Sequence, residues 1–212
     1  MSEYLDLYGK RLLIAIGLHF KYSVTSVAIA FVIALTLGIL LSRIPRFANV
    51  VLPIISMFQT IPGIVFVGVL FIYMGIVTST VIVALSIYAI FPILKNTYIG
   101  LIEVPAENKE AAKGCGMTAL QSLIKVELPL ALPAIISGLR MSTVYTVSWT
   151  VIASMIGLGG LGDFIYAGVN SLDNKLILTG AVPSAIMAIT LSRLISLLRI
   201  LLIPKPLRRD IK

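Results

Sequence analysis

The sequence predicts an all-α membrane protein with about five transmembrane helices, on three observations. Its 212 residues are 58% hydrophobic and only 12% charged, with a mean hydropathy of +1.05, whereas a soluble domain carries about 25% charged residues. Positions 47–94 contain no Lys, Arg, Asp or Glu, and a bilayer core of about 30 Å needs roughly 20 apolar residues per helix, so this stretch holds two crossings. The apolar runs lack the alternation of a barrel strand, and backbone groups in lipid must pair internally, which leaves helices.

At the N-terminal end, positions 1–21 mix Leu and Ile with Asp6, Lys10 and Arg11 at roughly helical spacing, the pattern of an amphipathic helix lying in the outer interface. His19 ends this segment, and as the single histidine it reads as a polar anchor or, less simply, a ligand; no second histidine exists to build a metal site. The apolar run beginning near Tyr22 starts too late and runs too long for a cleaved signal peptide. Spans are expected at 22–42, 51–74, 79–94, 132–156 and 177–203, with a basic tail at 204–212. Cys115 is the single cysteine, so no internal disulfide can form.

An odd number of spans puts the termini on opposite sides, and charge sets the orientation. With the loop after the third span inside, inner segments hold ten Lys and Arg and outer segments four, so the N-terminus is expected outside and the C-terminus inside. The net charge of +8 is accordingly read as topological, not as a nucleic-acid footprint. Arg140, Arg193 and Arg199 fall within spans, where each either snorkels to the inner interface or serves gating or subunit contact.

Proline and glycine interrupt the spans. Gln59-Thr60-Ile61-Pro62-Gly63 breaks the second near its middle, Phe91-Pro92 is expected to break the inner end of the third, and Pro183 sits early in the fifth. Broken helices at membrane depth release carbonyls and often line a transport path. Gln59 is open to two readings, a path residue or a kink residue bonded to a neighbouring helix.

Enzyme chemistry finds little support. The nine acidic residues lie mostly at ends or in loops, and no nucleophile triad, metal-ligand cluster or ATP-binding motif occurs. The run Gly157-Leu158-Gly159-Gly160-Leu161-Gly162 follows a membrane helix rather than a strand, so it reads as a hinge leading to a short helix around Asp163, not as a phosphate loop. No cofactor is expected on this chain, and energy must come from another subunit or an ion gradient.

The loop at 95–131 differs in kind. Glu107, Lys109, Glu110 and Lys113 are followed by apolar Met117, Leu120, Leu123 and Ile124. Ala111 and Ala112 favour helix, while Gly114 and Gly116 end it and permit a sharp turn. A second short helix is expected at 119–126, running to Pro129. Two short helices around a glycine turn make a knob whose apolar face calls for a soluble partner.

Glu110, Ala111, Ala112, Gly116, Val126, Leu128 and Pro129 match in type and spacing the EAA motif of ABC importer permeases, with Val126 in place of Ile. The chain thus resembles a type I ABC importer permease of methionine-permease-like fold, and the resemblance implies that this loop couples to an ABC ATPase carrying ATP and Mg. Gln59-Thr60-Ile61-Pro62-Gly63, the segment 88–98, Gly116-Met117-Thr118, the segment 126–133 and Gly159-Gly160-Leu161-Gly162-Asp163 are similar to permeases for osmoprotectants such as glycine betaine, carnitine and choline. Such a protein would sit as a multi-pass subunit in a bacterial cytoplasmic membrane. It would work beside a second permease copy or homologue and receive substrate from an extracellular binding protein. Quaternary ammonium groups are held by aromatic faces, which makes Tyr73, Tyr88, Tyr145 and Trp149, with Gln59 and Pro62, candidates along the path; packing or interface anchoring is the plainer role for the aromatics. An amino-acid importer, for methionine for example, is the alternative on the same scaffold, and a gradient-driven carrier the alternative from another class.

Overall fold

The computed structural model describes residues 2–154 and 157–202. The helices are α1 (Ser2–Arg43), α2 (Pro45–Phe58), α3 (Gly63–Met74), α4 (Thr78–Ile102), α5 (Ala106–Gly114), α6 (Ala119–Ser122), α7 (Leu128–Ser154), α8 (Gly162–Ser171) and α9 (Asn174–Leu202), with a π-helical turn at Leu123–Glu127. The expected tail at 204–212 and the end of the fourth span at 155–156 lie outside the described residues, as does the side chain of Arg199.

Among the described residues four helical stretches are long and apolar enough to span a membrane, or five if the bent pair α2 and α3 counts as one span. The first span differs from expectation. No proline interrupts positions 2–43, so α1 is one helix of 42 residues, about 63 Å long at 1.5 Å per residue. The segment expected as a separate interface helix is continuous with the first span. Charges at its start change what surrounds it but supply no reason for the backbone to stop.

Within lipid, helices associate through close contact and polar pairing rather than through the hydrophobic effect. The face that α1 buries is accordingly small: His19, Ser23, Ser26, Ala30 and Ala34 are all fully buried, at spacings of three and four. Ser23 Oγ lies 2.9 Å from Thr150 Oγ1 of α7, and Ser26 Oγ donates to the Ile82 carbonyl of α4 at 3.3 Å. On α7, Gly138 has no room for a side chain, because a Cβ there would sit 2.7 Å from the Pro92 carbonyl oxygen of α4. The long helix α4 is thus the centre, packed between α1 and α7.

Pro92 does not end the third span as expected: α4 runs through it to Ile102. Proline withdraws one N–H from the ladder, leaving the Tyr88 carbonyl, four residues earlier, without its helical donor. Gln59 Nε2 approaches that oxygen at 3.4 Å, a long contact that supplies the missing donor from another helix. The fourth span also starts earlier than expected. α6, the π turn and α7 follow without a break, so the span begins at the loop itself. Pro129 cannot donate to the Lys125 carbonyl, and a wider turn precedes it, with Leu128 N–H bonded to the Leu123 carbonyl.

Candidate functional site

Two groups of sequence-marked residues come together, one at the loop before α7 and one at the break between α2 and α3. The first is the knob. α5 ends where Gly116 takes φ +73°, a left-handed conformation that costs a residue with a Cβ about 1–2 kcal/mol. The Met117 N–H reaches the Ala112 carbonyl at 3.1 Å and the Gly116 N–H the Lys113 carbonyl at 2.9 Å, the paired bonds of a Schellman turn. The chain reverses and α6 starts on a capping box, Thr118 with Gln121.

This turn folds α5 back on the start of α7. Ala111, Ala112, Val126 and Pro129 then share the wall of a hollow of about 450 Å³, along with Met117 and Lys125. Glu110 stands exposed on α5 beside it. Leu128 faces the other way and packs among Leu101, Ala131 and Ile135 with Leu123 and the α1 residues Phe31, Leu35 and Ile39. Six of the seven motif residues therefore shape the knob's surface or its turn, and one anchors it.

Glu127 was not singled out from the sequence. Its carboxylate is buried and paired in two-pronged fashion with Arg43, Nη1 to Oε2 at 2.9 Å and Nη2 to Oε1 at 3.1 Å. Ser122 Oγ donates to the same Oε1 at 3.3 Å. The signal available was an acid among apolar residues, Val126-Glu127-Leu128, in a chain with nine acids. The partner has no local signal, since Arg43 lies 84 residues earlier.

The second group surrounds the break between α2 and α3, which meet at 91°. The Tyr88 hydroxyl donates to the Ile61 carbonyl at 2.7 Å, and its ring stacks on Trp149 with centroids 4.9 Å apart. Phe66 adds an edge-on contact to Tyr88 at 5.3 Å. Pro62 precedes the first turn of α3 as its N-cap, and a Cβ on Gly63 would fall inside the Trp149 indole. Gln59, Tyr88, Tyr145 and Trp149, with Thr146, line a hollow of about 200 Å³. Tyr73 is not part of it: it sits exposed in the last turn of α3. On the far side of Gln59 and Tyr88 lies an apolar cavity of about 450 Å³ bounded by Leu37, Phe58, Phe66 and Ile87.

Other marked residues fall elsewhere. His19 is not an interface anchor. It is fully buried, with Nε2 donating to the Val147 carbonyl of α7 at 3.0 Å, and no group of three or more metal-ligating side chains occurs among the described residues. Gly157, Gly159 and Gly160 take positive φ in the turn expected between α7 and α8. Beyond it Asp163 lies near Arg11; burial pushes its carboxyl above the usual range and Arg11 opposes that.

A family model described as the inner membrane component of binding-protein-dependent transport systems matches residues 12–207. The carnitine transport permease protein OpuCB of Listeria monocytogenes is 39% identical over 200 residues, covering 94% of this chain and 92% of that protein. The glycine betaine/carnitine/choline transport system permease protein OpuCB of Bacillus subtilis (strain 168) is 36% identical over 208 residues, covering 98% and 96%. In fold, the chain resembles an inward-facing structure of the MetNI methionine ABC transporter, with a TM-score of 0.74 at 22% identity over 92% of this chain and 99% of that one. The chain is a multi-pass membrane protein and belongs to the family of binding-protein-dependent transport system inner membrane components.

Proposed function

We propose that this chain is the translocation subunit of an ATP-driven importer for quaternary ammonium osmoprotectants, with glycine betaine, carnitine and choline as the substrate class. Identity of 36–39% over nearly the whole chain to permeases named for those compounds carries the reading. The likeness to a methionine transporter is one of fold at 22% identity, so it favours the scaffold and not that substrate.

In this reading the knob of α5 and α6 faces the cytosol and seats in an ATPase subunit, which binds ATP and Mg; this chain supplies no catalysis. Glu110, Ala111, Ala112, Gly116, Val126, Leu128 and Pro129 form that coupling surface and its support. The exposed apolar side chains of Leu120 and Ile124 are what such a partner would cover. A second permease, identical or homologous, completes the path, and an external binding protein delivers the substrate. Gln59, Pro62, Tyr88, Tyr145 and Trp149 form a constriction on the path at the broken span, and Tyr73, at the other end of α3, stands apart from it. The N-terminus lies outside and the C-terminus inside.

The test is uptake by the complete complex in proteoliposomes, using radiolabelled glycine betaine, carnitine, choline and methionine. ATP-dependent uptake of at least one quaternary amine is expected. Uptake of methionine alone would overturn the substrate, and uptake without ATP would overturn the energy source.

A further inference from the structure

The Arg43–Glu127 pair joins two parts of the chain that the proposed function uses separately. Glu127 closes the π turn that ends the knob. Arg43 is the last residue of α1, and Ile44 alone separates it from α2. Pro45 occupies the first turn of α2, and a proline keeps the residue before it out of helical conformation; Ile44 accordingly has φ −134° and ψ 75°. The result is a one-residue elbow, gripped by the knob through Glu127.

The helix beyond the elbow is held along one face only. Ala48 is the buried residue of α2 and Val51, Leu52 and Ile55 pack on the cluster around Ala89 and Ile93, with Pro53, Ile54, Met57 and Phe58 exposed. α2 ends at Phe58; its C-cap Gln59 brings an amide to the carbonyl freed by Pro92, and the turn that follows is latched by the Tyr88 hydroxyl on Ile61. A helix that packs as one rigid unit along a single face is displaced when its anchored ends are moved. Its near end is fixed to the knob by a two-pronged ion pair whose Glu127 side chain is 4% exposed and Arg43 side chain 44% exposed. A carboxylate so buried depends on its partner, so breaking the pair leaves an uncompensated charge rather than a tolerated gap.

We propose that the Arg43–Glu127 pair is the positioning link through which displacement of the knob reaches the elbow, α2 and the break at 59–63. The proposal rests on the reading of the knob as an ATPase-docking element. The pair acts through α2 and touches no substrate.

The test uses the full complex in proteoliposomes, in a Cys115→Ser background with Thr60→Cys as reporter, since Thr60 is exposed in the break. Labelling by a membrane-impermeant maleimide is compared between the resting state and the state trapped with ATP and vanadate. The rate should differ by about tenfold between states, a usual size for coupling between sites. In Glu127→Gln that difference should vanish while the ATPase still co-purifies. The charge swap Arg43→Glu with Glu127→Arg should restore it, which a merely structural contribution of either side chain does not predict. Should Glu127→Gln fail to insert, Arg43→Lys, which keeps the charge and loses the two-pronged geometry, takes its place. A full difference in either single variant, no difference in the parent, or a swap that fails to rescue overturns the link. Gly116→Asp separates the two ideas: if it leaves ATPase binding intact, the docking reading fails; if it abolishes binding while Glu127→Gln behaves as parent, the link alone fails.

Discussion

The ring of Tyr88 stacks on the indole of Trp149 with centroids 4.9 Å apart and planes 16° from parallel. One belongs to α4 and the other to α7, and the turn between α2 and α3 rests on both. Tyr88 is held from two sides at once, its hydroxyl bonded to Ile61 and its carbonyl approached by Gln59. The break in the second span is therefore clamped by tertiary contacts and is not a loose gap.

Tyr88→Phe keeps the stack and removes the hydroxyl. Loss of one hydrogen bond of about 1 kcal/mol should shift the clamp's opening by a factor of about five. Initial uptake rates at constant membrane expression should change severalfold, and Tyr88→Ala should act more strongly. Parental rates in both would show that the clamp does not control transport.

Gly63→Val places a side chain where the Trp149 indole sits. Overpacking of this kind costs about 1–3 kcal/mol, so the melting temperature in detergent should fall. Trp149→Leu in the same chain should recover part of the loss, because two residues in contact do not act additively. Additive losses in the double variant would remove the contact from the explanation.

Gly116→Ala keeps the knob's composition but forces a Cβ into the left-handed turn at φ +73°, at a cost of about 1–2 kcal/mol. Insertion should be normal, and ATPase co-purification should weaken. Gly114→Ala is the control: Gly114 is the last residue of α5, with no positive φ and nothing within 4 Å of its Cβ position, so it should change neither.

Pro92→Ala restores a helical donor for the Tyr88 carbonyl, which makes the Gln59 amide redundant. Gln59→Leu should therefore lower thermal stability by about 1 kcal/mol in the parent and by less in the Pro92→Ala background. A double-mutant cycle on unfolding in detergent measures the difference. Equal losses in the two backgrounds would show that the long 3.4 Å contact contributes nothing.

Asp163 gives a pH dependence. Its folded carboxyl titrates above the ordinary aspartate value through burial, with Arg11 opposing. Folding thus favours the protonated acid, and the contribution of Asp163 to stability falls as pH rises from the unfolded value through the folded one. Asp163→Asn removes that slope. The variant should be slightly more stable than the parent at pH 7, and the gap should close as pH falls below about 4; thermal unfolding at the two pH values checks it.

Much of the molecule was legible in the chain because it depends on local properties. Apolar run length determines the spans, with helix the conformation that satisfies a backbone in lipid. Gln59 to Gly63 marks the break, because proline and glycine act on their own backbone, and Gly116 marks the turn of the knob for the same reason. The spacing from Glu110 to Pro129 carries the resemblance to the family without any tertiary contact.

The tertiary structure alone decided the rest, and the reason is the same each time: the partner is distant in sequence. Pro92 reads as a helix end, yet the helix continues, with an amide 29 residues from Tyr88 at the orphaned carbonyl. His19 reads as an interface residue until a carbonyl 128 residues away accepts its hydrogen bond. Glu127 reads as one more loop charge until Arg43, 84 residues earlier, closes on it. Hydropathy and spacing report what a residue does to its own backbone and to the lipid; which side chain meets it across the bundle is settled only when the helices pack.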